Sequence, residues 1–461
     1  MTDWNRRAVD WGHAYRAGLR ERPVRAQVQP GDIRAALPEH PPEHPEPMDA
    51  IWADFERIVP SGLTHWQHPR FFAYFPANAA PSSILAEHLV AEIGAQAMLW
   101  QTSPVATEME ERMVAWLAHA FGLPPRFRGV LQDTASTATF SAVLTMRERA
   151  LGWAGNAEGL AGGPRLRLYA SEQTHSSVEK AAVMAGIGAA NLVRVPTDAK
   201  WGMRPEALAA AIEMDRAGGY RPAGVILCVG GTGIGASDPI GACLDVAAQA
   251  GLYTHVDAAW AGAAMVCPEA RAHWAGAERA DSIVVNPHKW LGAQFDCSVQ
   301  FLADPTDQIR TLAMRPDYLH TPGHAEITNF SEWTPQLGRR FRALKLWFLF
   351  RAEGLEGLRT RIANHMRWAE ALAEQVAAEP GFELTTPPMF SLFTFRHRPE
   401  RGDAHSLALI EALNDDGRIY VTQTTLEGRT VIRFQVGQWD TTEADVAFAW
   451  DVIREIAGRL G

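Results

Sequence analysis

Short apolar runs recur along the middle of this chain, each ending abruptly in proline, small or polar residues and most followed by a longer segment with helical spacing. Val130–Gln132, Leu166–Ala170, Gly224–Val229, Leu252–Val256, Ile283–Val285 and Ser298–Leu302 are predicted strands. Helices are predicted from Pro81, from Ser103-Pro104 up to Gly122 and Pro124, over Ala138–Arg149, and from Ser176. From Gly129 onward this alternation predicts an α/β region. Beyond Trp347 the texture changes to helix with separated short strands, Phe390–Phe395 and Val431–Val436, as in a small α+β region. Ahead of it all, residues 4–19 place Trp4, Ala8, Trp11, Tyr15 and Leu19 on one helical face, expected to meet a partner subunit. A stiff connector from Pro38 to Pro47 follows, in which His40 and His44 read as solvated loop. His65–Pro76 is too rich in aromatic residues for one strand, and suits either a dimer interface or the wall of a pocket for a flat ligand.

What the strands deliver at their ends carries the chemistry. The run to Val285 breaks into Asn286, Pro287, His288 and Lys289, placing a lysine at a strand's carboxyl end, where open α/β sheets bind ligands. A partly desolvated amine is more often neutral and can attack a carbonyl to form an imine. Leu252–Val256 likewise delivers Asp257. An amine and an acid so placed suit pyridoxal 5'-phosphate (PLP), with lysine holding the aldehyde and the carboxylate keeping the pyridine nitrogen protonated. Read singly, Lys289 is also an ordinary solvated lysine, and Asp257 a helix cap or metal ligand. Thr134, Ala135 and Ser136, at a predicted helix start, form a phosphate cradle or a plain cap. His175, after the next strand, lies over a bound ring or is structural. Gly230–Gly235 departs from the GxGxxG spacing, and Ala236-Ser-Asp-Pro239 follows where a dinucleotide fingerprint needs a helix. A dinucleotide-dependent oxidoreductase built on it leaves Lys289 unexplained. Arg315–His324 has the composition of a lid, with Tyr318 able to carry a proton, or of an ordinary surface loop.

Composition narrows the class. The 461 residues can bury a large core and split into two or three regions. A net charge of −10 argues against non-specific nucleic-acid binding. No apolar run approaches the roughly 20 residues of a membrane span, and Met1–Arg7 lack a signal-peptide core, so a cytoplasmic place is expected. Cys228, Cys243, Cys267 and Cys297 contain no CxxC pair, indicating neither zinc nor a disulfide framework.

With these pieces together the chain resembles the PLP-dependent group II amino-acid decarboxylases, most closely the aromatic-L-amino-acid decarboxylases. The motifs are His-Val-Asp-Ala-Ala (255–259), Asn-Pro-His-Lys-Trp (286–290), Phe-Asp-Cys-Ser (295–298), Phe-Phe-Ala-Tyr-Phe-Pro (71–76) and Leu-Gly-Arg-Arg-Phe-Arg (337–342). The resemblance implies the fold-type I architecture: a mostly parallel sheet flanked by helices, a helical N-terminal arm and a small α+β C-terminal domain. Residues 1–80 would be a dimerisation segment, 81–345 the large PLP-binding domain and 346–461 the small domain. It implies Lys289 as the imine-forming residue, Asp257 as pyridinium partner, His175 stacked on the ring and Ala259 against its other face. Thr134, Ala135, Ser136, Asn286 and His288 would hold the phosphate. Tyr318, from the neighbouring subunit of a homodimer, would return a proton after carbon dioxide leaves. Trp66, Tyr74, Phe75, Pro76, Met98, Leu337 and Gly338 would shape the substrate pocket.

Departures from the family bear on the substrate. Ala77 stands where a threonine is common, Cys228 replaces another threonine, and Gln96 and Met98 occupy an aromatic pocket position. These weaken the case for dopa and leave tryptophan, phenylalanine and tyrosine open, with Gly338 giving room for an indole. An aldehyde synthase on the same scaffold is the nearest alternative, although Tyr318 and His175 are both present. Arg433, which an aminotransferase would use as a carboxylate clamp, reads as structural.

Overall fold

Apolar residues fill most positions of a seven-stranded sheet in the computed structural model, which describes residues 2–314 and 327–461. Its strands are β1 (Arg128–Gln132), β2 (Leu166–Ser171), β3 (Leu192–Val195), β4 (Arg221–Cys228), β5 (Tyr253–Asp257), β6 (Ser282–Val285) and β7 (Ser298–Leu302), in the order β1-β7-β6-β5-β4-β2-β3. Neighbours from β3 to β6 run parallel, and only β7 is antiparallel to both β6 and β1. Near-continuous burial along β4 to β7 is what a parallel sheet covered on both faces requires. Helices Ala135–Ala150 and Ser176–Met184 cover one region of it, where Val143, Met146, Val178 and Ala182 pack on Leu168, Ala170 and Ile226. The mostly parallel sheet with flanking helices is the fold-type I arrangement expected from the resemblance.

The chain divides into two compact units, residues 77–367 with 388–390, and residues 1–76, 368–387 and 391–461. The first holds the seven-stranded sheet. The second holds β8 (Phe382–Met389) up to Pro387, β9 (Leu392–His397), β10 (Thr422–Leu426) and β11 (Arg429–Gln435), ordered β10-β11-β9-β8. Helices Gly402–Asp416 and Glu443–Leu460 complete its core through Leu409, Leu413, Trp450 and Ile453 against Phe393, Phe395 and Phe434. Thr442 and Asp445 cap the last helix reciprocally. The same Asp445 receives Arg20 at 2.9 Å and Arg70 at 3.2 Å, tying the chain's beginning to its end. The aromatic face of the first helix, Thr2–Ala17, is met within this unit: Trp4 by Trp52, Trp11 by Phe55, and Tyr15 by His65 at 2.8 Å.

Some boundaries move for local reasons. The helix expected from Ala138 starts at Ala135, because the small residues after Asp133 already turn. Phe390 lies outside any strand: its φ of 57° makes it a left-handed turn between β8 and β9. The helical stretch Ala343–Ala378 is broken at Gly354, where φ is 64°.

Candidate active site

Two strand ends and one helix start converge at the carboxyl edge of the large sheet. β5 ends on Asp257, and β6 ends one residue before Asn286. Helix Ala135–Ala150 begins just beyond β1. They enclose a cavity of about 210 Å³ whose lining includes Thr134, Ala135, Ser136, His175, Asp257, Ala259, Asn286, His288 and Lys289. All nine cofactor residues read from the sequence thus face one space.

Lys289 sits in a short wide turn over Pro287–Leu291, itself off the helical conformation at φ −92°, ψ −110°. Asn78 fixes that turn from a distant part of the sequence. Its Nδ2 donates to the Lys289 carbonyl at 2.8 Å, and its backbone N–H donates to the His288 carbonyl at 2.8 Å. Burial lowers the Lys289 amine below its ordinary range, while the Asp257 carboxylate opposes the shift. A lowered amine is a better nucleophile near neutral pH. Asp257 accepts the Ala259 N–H at 3.0 Å and lies beside Cys228 in the β4–β5 register. Burial raises the Cys228 thiol, so it stays protonated.

Part of the cavity lining suits an anion. Thr134 is the N-cap of Ala135–Ala150, yet its side chain makes no capping bond; its hydroxyl lies near Asp133 and Thr137 instead. The first N–H groups of a helix lack intrahelical partners and favour negative charge. His288 accepts the Cys297 N–H on Nδ1 at 2.9 Å, which leaves Nε2 to carry the proton. Burial, then the Lys289 charge, pushes its pKa down to about 3, so the ring is a neutral donor. Asn286 is 3 % exposed, and its Oδ1 has no hydrogen-bond partner among the described residues. This unpaired oxygen is an acceptor, so it suits a ligand group that donates, while only the Asn286 Nδ2 can donate to an anion. The residues therefore fit PLP, with an amine for the aldehyde, a carboxylate for the ring nitrogen, and N–H donors for the phosphate.

His175 caps helix Ser176–Met184, its Nδ1 accepting the Ser177 N–H at 3.1 Å. That bond leaves Nε2 as the protonated nitrogen of the neutral ring. Burial lowers its pKa, Asp257 opposing and Lys289 reinforcing the shift. Met98, Leu337 and Gly338 are not among the residues lining the cavity. Gly338 lies instead beside Gln96, whose Oε1 accepts the Arg339 N–H at 2.6 Å. Trp66, Tyr74, Phe75 and Pro76 belong to the other unit, where the Trp66 and Tyr74 rings stack at 5.8 Å and both are exposed. Arg433, also there, is buried against Thr422 Oγ1 at 3.1 Å and the Tyr74 carbonyl at 3.3 Å, a structural placement. Tyr318 lies outside the described residues.

The sequence alone did not single out Asn78, Ser177, Gly230, Thr232, Trp260 or Phe295 at this site. Asn78 had one signal, a polar residue directly after an apolar stretch. The Gly230–Gly235 turn folds back through a Val229–Ser237 bridge, and the next helix starts only at Ile240, which removes the dinucleotide loop.

The sequence matches the family described as "Pyridoxal-dependent decarboxylase conserved domain" over residues 30–398. Tryptophan decarboxylase 2 of Oryza sativa subsp. japonica is 35% identical, the match covering 100% of this chain and 95% of that protein. Phenylacetaldehyde synthase of Arabidopsis thaliana is also 35% identical, over 100% of this chain and 96% of that one. The crystal structure of Oryza sativa TDC with PLP and tryptamine superimposes with a TM-score of 0.96 at 35% identity, covering 99% of this chain and 97% of that one.

Proposed function

The chain belongs to the pyridoxal-dependent decarboxylase family, and from that membership we propose that it removes the carboxyl group of an aromatic L-amino acid, giving the amine and carbon dioxide. It is a PLP-dependent enzyme of the carboxy-lyase class. The observation that carries the reading is the single cavity uniting the lowered amine of Lys289, the Asp257 carboxylate and an uncapped helix start. Bound there, PLP supplies an electron sink for the bond that breaks. Lys289 would hold its aldehyde, Asp257 the ring nitrogen, and Thr134, Ala135, Ser136, Asn286 and His288 its phosphate. His175 and Ala259 would bound the two faces of the ring. The proton that replaces the carboxyl group is assigned to the Tyr318 hydroxyl, on the family resemblance alone.

Tryptophan, phenylalanine, tyrosine and dopa are the substrates to compare. A relative named tryptophan decarboxylase and a structure holding tryptamine support the indole. The match to a phenylacetaldehyde synthase keeps aldehyde formation as the second reading. Trp66, Tyr74, Phe75, Pro76, Met98, Leu337 and Gly338 are proposed to shape the substrate site of a homodimer. Exposed Ile84, Leu85, Leu89 and Ile93 on helix Pro81–Ile93 support a covered subunit face. Four free, buried cysteines accord with a cytoplasmic place. Among the described residues no helix is long and apolar enough to cross a membrane.

Incubating the protein and PLP with each of the four amino acids, and measuring amine, aldehyde and carbon dioxide together, tests the reading. Amine matched by carbon dioxide supports it and ranks the substrates. Aldehyde with peroxide transfers the enzyme to the oxidative reading, and no turnover of any of the four contradicts both.

A further inference from the structure

The cofactor site described above needs two anchors at a fixed separation: a helix start for the phosphate and Asp257 for the ring nitrogen. They stand on different elements. Something must set how far helix Ala135–Ala150 slides along β5, and close apolar contacts of small residues such as Ala135, Ala138 and Val284 are poorly directional. Hydrogen bonds are directional.

One buried ring makes that link. His255 lies two residues before Asp257 on β5, so both side chains point to the same face of the sheet. It is fully buried. Its Nε2 meets Thr139 Oγ1 at 3.2 Å, one helical turn beyond Ala135. Its Nδ1 meets Ser282 Oγ at 2.9 Å, on the strand that leads to Asn286 and Lys289. A neutral imidazole has one donor and one acceptor, and these two bonds use both.

The connection then closes on itself. Ser282 Oγ also accepts from Gln300 Nε2 at 3.1 Å on β7, and Gln300 Oε1 accepts from Gln132 Nε2 at 2.8 Å on β1. Gln132 immediately precedes the Asp133–Ser136 turn, and its Nε2 lies 3.3 Å from Ser141 Oγ of the same helix. A polar belt thus runs from the helix through β5, β6, β7 and β1 back to the helix, beneath the cavity.

We propose that His255 is a positioning residue, the member of this belt that fixes the span between the phosphate cradle and Asp257 and aligns both with the strand bearing Lys289. The proposal rests on the cofactor reading of the cavity. It makes a specific demand: loosening the belt weakens a ligand held at both ends but not one held at a single end.

Thr139→Val removes the Nε2 bond of the imidazole, and Ser282→Ala removes its Nδ1 bond together with the Gln300 bond, each with little change of shape. Titrating wild type and variants with PLP, with inorganic phosphate and with pyridoxal separates the cases. PLP affinity is expected to fall about tenfold in each variant, the scale of one lost buried hydrogen bond, while phosphate and pyridoxal bind as in wild type. His255→Gln, which keeps a donor and an acceptor, is expected to hold PLP more tightly than His255→Leu. Unchanged PLP affinity overturns the proposal. So does a parallel loss for all three probes with a lowered unfolding temperature, which is general loosening. Wild-type protein that fails to link PLP to Lys289 on borohydride reduction and peptide mapping removes the cofactor reading itself, a separately visible failure.

Discussion

At the scale of single residues, the account turns on the protonation states of Lys289 and His288. The lysine amine lies below the ordinary 10.5, through burial only partly offset by Asp257. Covalent capture of PLP, followed by its visible absorbance, is therefore expected to quicken with rising pH and level off below 10.5. A rate still climbing at that pH would mean a solvated amine. Lys289→Ala is expected to abolish the linkage while leaving inorganic phosphate bound, since the helix start and His288 are untouched. His288 stays neutral above about 3, so PLP affinity between pH 5.5 and 8 should carry no inflection that disappears in His288→Gln. Lys289 and Asp257 were legible in the sequence because a buried run ending in a charged residue has few explanations. Asn78 was not, because its hold on the Lys289 carbonyl arises only when residues 211 positions apart meet.

Elements explain why the wall of the cavity has its shape. Gly230 follows β4 with φ 76°, and a Cβ there would meet the Ala261 Cβ at 2.3 Å and the Trp260 ring at 3.1 Å. Gly230→Ala combines a left-handed backbone with a clash, so a loss of roughly 1–3 kcal/mol in stability is expected, together with weaker PLP binding through displaced Trp260. Urea unfolding and a PLP titration check the two parts, and an unperturbed titration would show that the turn does not shape the site. The strands were readable from burial and β-branching, since a doubly covered strand tolerates little else. Phe390 misled the reading of β9 because an aromatic residue in a left-handed turn has the same letter as one in a strand. The first helix's aromatic stripe was plain, but its contacts with Trp52, Phe55 and His65 arise only when separate segments of the chain meet.

For the whole molecule, buried histidines set the response to acid. Burial holds His68 at about 3, His255 at about 4, His288 at about 3, and His365 well below 6.5. Unfolding returns each to about 6.5, so between that value and the folded one the unfolded chain binds more protons. Stability is present above pH 6.5 and lost as pH falls toward 4, by roughly 2 kcal/mol at pH 5 for each of His68, His255 and His288, with His365 acting in the same direction. Asp238, pushed up to about 6 by burial, acts in the opposite sense, one group against four. Unfolding temperatures from pH 7 to 5 are expected to drop before most carboxylates titrate, and a flat profile there would contradict the assigned neutrality. The fold class was legible from the alternation of strand and helix. The joining of residues 1–76 with the C-terminal sheet was not, because it rests on long-range ion pairs such as Arg20 and Arg70 with Asp445.

Turnover of L-tryptophan in deuterium oxide, with the product read by mass spectrometry and carbon dioxide counted alongside, tests the central claim most directly. Loss of the carboxyl group followed by protonation places one non-exchangeable deuterium on the amine-bearing carbon, with one carbon dioxide per amine. Deuterium returned to the amino acid without carbon dioxide, or aldehyde in place of the amine, would contradict it.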